Sequence, residues 1–197
     1  TLSLHDALPI LRQAAKDAAG HWLELGLDGF RMDAAVHIYG AHEFKQQEDS
    51  EAANITWWNE FAGYCESINP DVYLVGEVWQ DDKVLENYVQ PFDTKFDFAI
   101  QQKILNCVQK GMAVPGFGDS LSVAIENIQN KYDGVDANYL NGIFGANHDQ
   151  DRIASSVNSL DKARQIAAVY MTLPGNPYIY YGEELGMYGS KPDEMIR

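Results

Sequence analysis

Basic residues are scarce in this chain. Lysine and arginine number 14 against 29 aspartates and glutamates, a net charge of −15 over 197 residues. That balance argues against nucleic acid and anionic membrane surfaces as partners, since both attract basic patches. It suits a neutral partner such as a sugar, although an acidic surface also serves solubility alone. Cysteine is rarer still: Cys65 and Cys107 fit no metal-ligand spacing, and two cysteines do not make a disulfide framework, so free thiols are expected and the compartment stays open. No apolar run approaches the roughly 18 residues of a membrane span. No Gly-rich phosphate loop follows any strand-like run, which argues against a doubly wound nucleotide-binding domain. Repeats and low-complexity segments are lacking as well.

What is present is an ordinary globular composition, 46% hydrophobic and 22% charged, long enough for one domain with a sizeable core. The opening TLSLHDALPI, residues 1–10, reads as one frame of a common sequencing adapter and is set aside as non-native, leaving 11–197 as the domain. The chain stops at Ile196-Arg197 without a helix end or a polar tail. It is therefore expected to be a segment of a longer protein cut at both ends.

Apolar residues at Leu11, Ala14, Ala15, Ala18, Ala19, Trp22 and Leu23 have helical spacing, stopped by Gly26. Asp28 to Asp33 reads as a short strand, Tyr39 to Thr56 as a long polar loop, and Trp57 to Ile68 as a helix. Asp71 to Trp79 is a nearly continuous apolar strand. Helix-like residues at Val84 to Val89 precede a weaker strand near Lys95 to Phe98. Helices are expected at Ile100 to Gln109, Leu121 to Lys131 and Lys162 to Leu173, with strands at Gly142 to Asn147 and Pro177 to Tyr181. Alternating strands and helices indicate parallel βαβ units. These are about five parallel strands, where a closed eight-fold barrel needs eight over about 250 residues, so an open sheet and part of a barrel both remain.

Three strand ends carry acids that a dry sheet would not hold without a reason. Period-two alternation puts Arg31 and Asp33 on one face. Asp33 is either an N-cap for the segment beginning Ala34-Ala35 or a group held for chemistry. Glu77 follows Val72 to Gly76 inside the apolar strand. It is either a structural ion-pair partner or a carboxyl whose apolar setting suits it to be a general acid. Asn147, His148 and Asp149 end the later strand, as a cap within a turn or as a site. Histidine beside carboxylates has a ligand composition, but no second histidine lies at i+3 or i+4 of His148, and His37 and His42 sit in or beside a loop, which argues against zinc. Acids at carboxyl-terminal strand ends sit on the rim where barrel enzymes build active sites. Two carboxylates flanking one bond are the minimum for glycoside hydrolysis.

At these residues the sequence resembles the α-amylase family of glycoside hydrolases. Four segments match its motifs in order: Gly29 to His37, Val75 to Val78, Phe144 to Asp149, and Gly175 to Glu183. Asp33 and Glu77 are 44 residues apart, and Glu77 and Asp149 are 72 apart, which suits one helical unit and then two. The resemblance implies part of a TIM (β/α)8 barrel and a retaining enzyme that cleaves α-1,4-glucosidic bonds of starch, glycogen or maltooligosaccharides. Asp33 would be the nucleophile, oriented by Arg31, and Glu77 the acid/base, with the two carboxyls about 5–5.5 Å apart. Asp149 would grip sugar hydroxyls, with Asn147 and His148 beside it. Trp79, two residues past Glu77, is a candidate platform for a sugar ring or else an aromatic packed at the rim. The backbone oxygen at His37 would help bind a structural calcium, which the chemistry itself does not require.

Two departures from the family pattern stand out. Val36 occupies the place where many members carry a lysine that contacts sugar. The first family motif and the inserted domain that usually supplies calcium ligands are absent and expected upstream. These 197 residues alone are accordingly expected to be inactive and poorly soluble, since part of a barrel exposes strand edges. An α-glucosidase, an α-glucan transferase or a non-catalytic relative of the same fold are the alternatives. Oligomeric state and localisation are not legible.

Overall fold

The computed structural model describes residues 4–39, 47–80, 82–110 and 120–191. The chain divides into two compact units, Thr1–Val78 with Asn87–Asp93 and Trp79–Glu86 with Thr94–Arg197.

In the first unit, helix α1 (Leu4–Glu24) is followed by strand β1 (Gly29–Met32), a 3-10 turn (Ala35–His37), helix α2 (Gln47–Ile68) and strand β2 (Tyr73–Gly76). The strands run parallel, with Phe30 opposite Leu74, Arg31 opposite Val75 and Met32 opposite Gly76. Helix α1 packs on α2, where Lys16 Nζ meets Glu60 Oε1 at 2.9 Å and Arg12 also pairs with Glu60. Trp57, Trp58, Phe61, Leu74 and Phe92 are buried and fill the space behind the strands. Gly76 is a close-approach position: a Cβ there would lie 2.4 Å from the Phe92 ring. Any larger residue would push β2 off its aromatic floor.

The long loop expected from Tyr39 to Thr56 is corrected here. Helix α2 already begins at Gln47, while residues 40–46 lie outside the described part. Only Ala52, Ala53 and Ile55 are apolar between 47 and 56, too few to mark a stripe, yet alanine is the strongest helix former. The buried face of this stretch is polar. Asn54, 1% exposed, accepts the Tyr39 N–H at 2.8 Å and donates Nδ2 to Val36 O at 2.9 Å.

In the second unit come helix α3 (Asp82–Leu85), strand β3 (Thr94–Lys95), helices α4 (Phe98–Lys110) and α5 (Leu121–Asp133), and strand β4 (Gly142–Phe144). Helices α6 (Ile153–Val157) and α7 (Leu160–Tyr170) lead to strand β5 (Asn176–Tyr178). Strands β4 and β5 are parallel, with Ile143 opposite Pro177, and Phe96 forms a parallel bridge to Gly142. Phe96, Phe98, Phe144 and Tyr178 meet edge to face around them. Helix α4 starts at Phe98 because Asp97 caps it, accepting the Ile100 N–H at 2.8 Å; the strand expected through Phe98 therefore stops at Lys95. Strand β4 ends at Phe144 rather than Asn147, and α6 was not expected at all.

Among the described residues, the parallel pairs β1–β2 and β4–β5, with helices between the strands, make an α/β architecture. Cys65 and Cys107 are both free; burial pushes the Cys65 thiol up to about 11, helped by nearby Glu66. Among the described residues, no helix is long and apolar enough to cross a membrane.

Candidate active site

Asp33 stands one residue beyond β1 and Glu77 one residue beyond β2. The ladder continues past the strand ends: Glu77 N–H donates to Met32 O at 2.9 Å, and Ala35 N–H donates to Glu77 O at 3.0 Å. These bonds hold the two acids side by side at the carboxyl ends of neighbouring strands. Arg31 joins them. Its Nη2 lies 2.7 Å from Glu77 Oε1, and its Nη1 pairs with Asp33 Oδ1. The Glu77 side chain is 11% exposed, whereas that of Asp33 is 74% exposed.

Asp33 is not an N-cap: Ala34 takes the cap position of the 3-10 turn, with no side-chain cap bond. The ion pair considered for Glu77 is real, so its setting is less apolar than its strand context indicates. Both Glu77 oxygens have partners, Oε1 the guanidinium and Oε2 the Ala34 N–H at 3.1 Å. An ion pair at a strand's carboxyl end does not conflict with chemistry, since a planar, permanently charged group can orient two carboxylates at once.

The turn after Asp33 is itself held from behind. Ala34 has φ 45° and ψ 45°, the left-handed region that a residue with a Cβ enters at a cost of about 1–2 kcal/mol. Trp58 Nε1 donates to Ala35 O at 2.7 Å, and Asn54 bonds Val36 and Tyr39. These two α2 residues were not singled out from sequence. His37 closes the 3-10 turn and is exposed. Its carbonyl would be one ligand, whereas calcium takes six to eight oxygens. Among the described residues, no group of three or more His, Cys, Asp or Glu could hold a metal. The donor set here does not by itself fit a calcium site.

In the second unit, Asn147, His148 and Asp149 occupy a turn after Gly145 and Ala146. Asn147 Oδ1 accepts the Asp149 N–H at 2.9 Å, so the turn reading is correct for Asn147. That bond leaves the Asp149 carboxylate projecting from the turn, 41% exposed, with His148 Nε2 at 3.0 Å from Oδ2. Lys191 Nζ lies 3.3 Å from Oδ1. Trp79 is 55% exposed and stacks on Phe98 with centroids 4.4 Å apart and planes 4° apart. One face is packed, as the rim reading expects, and the other is open.

Arg152, three residues past Asp149, is fully buried against the rings of Tyr180 and Tyr181, and its Nη1 donates to Tyr181 O at 2.7 Å. Glu183 receives the Tyr170 hydroxyl at 2.9 Å. Burial pushes its pKa up to about 7, opposed by the Tyr170 bond and the Arg152 charge. Neither residue was given a role from sequence, although Glu183 closes the fourth matching segment and Arg152 directly follows Asp149-Gln-Asp151.

Comparison with known proteins gives this geometry a context. A family model described as "Alpha amylase, catalytic domain" matches residues 3–196. Alpha-amylase 3 of Dictyoglomus thermophilum is 42% identical over 96% of this chain and 35% of its own length. A 4-alpha-glucanotransferase of Thermotoga neapolitana is 32% identical over 95% of this chain and 38% of its own. The crystal structure of an alpha-amylase from H. orenii superposes with a TM-score of 0.81 at 36% identity, over 96% of this chain and 37% of that one. The chain thus spans between a third and two fifths of these relatives.

Proposed function

This chain belongs to the alpha-amylase catalytic-domain family, and we propose that it is the part of a (β/α)8 barrel bearing the carboxylates of a retaining α-1,4-glucan hydrolase. The observation that carries the reading is one guanidinium, that of Arg31, bonded to both Asp33 and Glu77 at adjacent strand ends. In this reading Asp33 attacks the anomeric carbon while Glu77 gives its proton to the departing glycosidic oxygen. The glycosyl ester on Asp33 is then opened by a water whose proton returns to Glu77. Arg31 aims the Asp33 carboxylate. Asp149 accepts hydrogen bonds from sugar hydroxyls as the ring flattens, His148 donates to the same sugar, and Asn147 shapes the turn that presents both. The open face of Trp79 stacks on a neighbouring glucose.

The substrate class is an α-glucan: starch, glycogen or maltooligosaccharides. A structural calcium near His37 belongs to the proposal only with ligands from beyond these residues. On their own, the 197 residues are expected to lack activity. The runner-up is an α-glucan transferase, favoured by the resemblance to a 4-alpha-glucanotransferase. The test uses the full-length enzyme containing these residues. Maltoheptaose should give shorter maltooligosaccharides, with the α anomer formed first by proton NMR, and D33N, E77Q and D149N should each lose activity at least about a thousandfold. A β anomer first would refute retention, and longer products outrunning hydrolysis would favour the transferase.

A further inference from the structure

The turn carrying Asp149 is strapped to the segment after β5, and the strap ends on the carboxylate itself. The Arg152 N–H donates to Gly189 O at 3.0 Å, and Gly189 N–H donates to Ser155 Oγ at 2.8 Å. Two residues on, the Lys191 N–H donates to Asp151 Oδ1 at 2.7 Å, and Lys191 Nζ reaches Asp149 Oδ1 at 3.3 Å. His148 holds the other oxygen, Oδ2, at 3.0 Å. Each carboxylate oxygen therefore has one fixed partner. An ionised carboxylate has about four lone-pair sites, so about two remain for sugar hydroxyls.

We propose that Lys191 is a positioning residue for Asp149, clamping its carboxylate against His148 so that the free lone pairs meet the sugar in one orientation. The inference rests on the reading of Asp149 given above. A lysine on an open surface would be a poor clamp, because ordering its four-carbon stem cancels most of the gain from an ion pair. Here the backbone of Lys191 is already fixed on Asp151, and its side chain is 29% exposed. The pair is still solvated enough to add little to folding. Its effect should therefore appear in turnover rather than in stability.

The test compares wild type, K191Q, K191R and D149N in the full-length enzyme on maltoheptaose. K191Q is expected to lower kcat about tenfold, the size of one lost charge-assisted hydrogen bond, with KM changed less than about twofold. K191R should recover most of the loss, and the melting temperatures of all four should agree within about 2 °C. A K191Q enzyme with wild-type kcat would overturn the proposal. So would a K191R enzyme as impaired as K191Q, or a kcat loss matched by a fall in melting temperature. If D149N keeps its activity, the role of Asp149 itself is wrong and the proposal falls with it.

Discussion

The Glu77 carboxylate accepts the backbone N–H of Ala34 at 3.1 Å, across 43 positions of sequence. Glu77 thus does more than face Asp33: it helps fix the turn that follows Asp33. Ala34 sits at φ 45°, a conformation that glycine adopts freely and alanine does not. The expected outcome of A34G is a stability gain of about 0.5–1 kcal/mol by chemical denaturation, after the added chain entropy of glycine is subtracted. A loss of stability would mean that the Cβ of Ala34 is itself part of the packing.

Two buried groups pull the pH dependence of stability in opposite directions. Glu183 is pushed up to about 7, so in the folded state it holds its proton more tightly than an unfolded glutamate near 4.5. Its contribution to stability is full below 4.5 and is lost as pH rises towards 7. Lys95 lies 3.4 Å from the centre of the Tyr132 ring, and burial pushes it down to about 7, opposed by Asp97. Its contribution is full above 10.5 and is lost as pH falls through 7. E183Q should match wild type near pH 4 and exceed it by on the order of 2 kcal/mol at pH 8. Denaturation midpoints measured side by side across that range check this, and a difference independent of pH would contradict it.

Trp79 offers a separable test of substrate binding. W79A should raise KM for maltooligosaccharides about three- to tenfold, the loss of roughly 1 kcal/mol of ring stacking, with kcat nearly unchanged. W79F should fall between the two. An unchanged KM for W79A would assign Trp79 to packing on Phe98 alone.

Much of this was legible in the sequence because charged residues in apolar strands are conspicuous. Arg31, Asp33 and Glu77 stood out in that way, and the structure places them at neighbouring strand ends. Strand lengths were overestimated, because Glu77 and Asn147 continue the run of residues without continuing the strand. The start of α2 was missed for the opposite reason. Its buried face uses Asn54 rather than an apolar side chain, and a polar stretch reads as loop. Lys191 was invisible because its partners, Asp149 and Asp151, lie about 40 positions earlier, and no local pattern links them. Glu183 closes the fourth matching segment, but its raised pKa was not legible, since its burial comes from packing against α7 through Tyr170.

The central claim is that Asp33 is the nucleophile. The full-length enzyme, incubated with a fluorinated α-glucosyl fluoride that forms the glycosyl ester faster than water opens it, can be digested and its peptides weighed. The fluoroglucosyl mass should appear on the peptide containing Arg31-Met-Asp33, the anomeric fluoride having left, and be absent in D33N. A label on Glu77, on Asp149 or on no residue of the active enzyme would contradict the account.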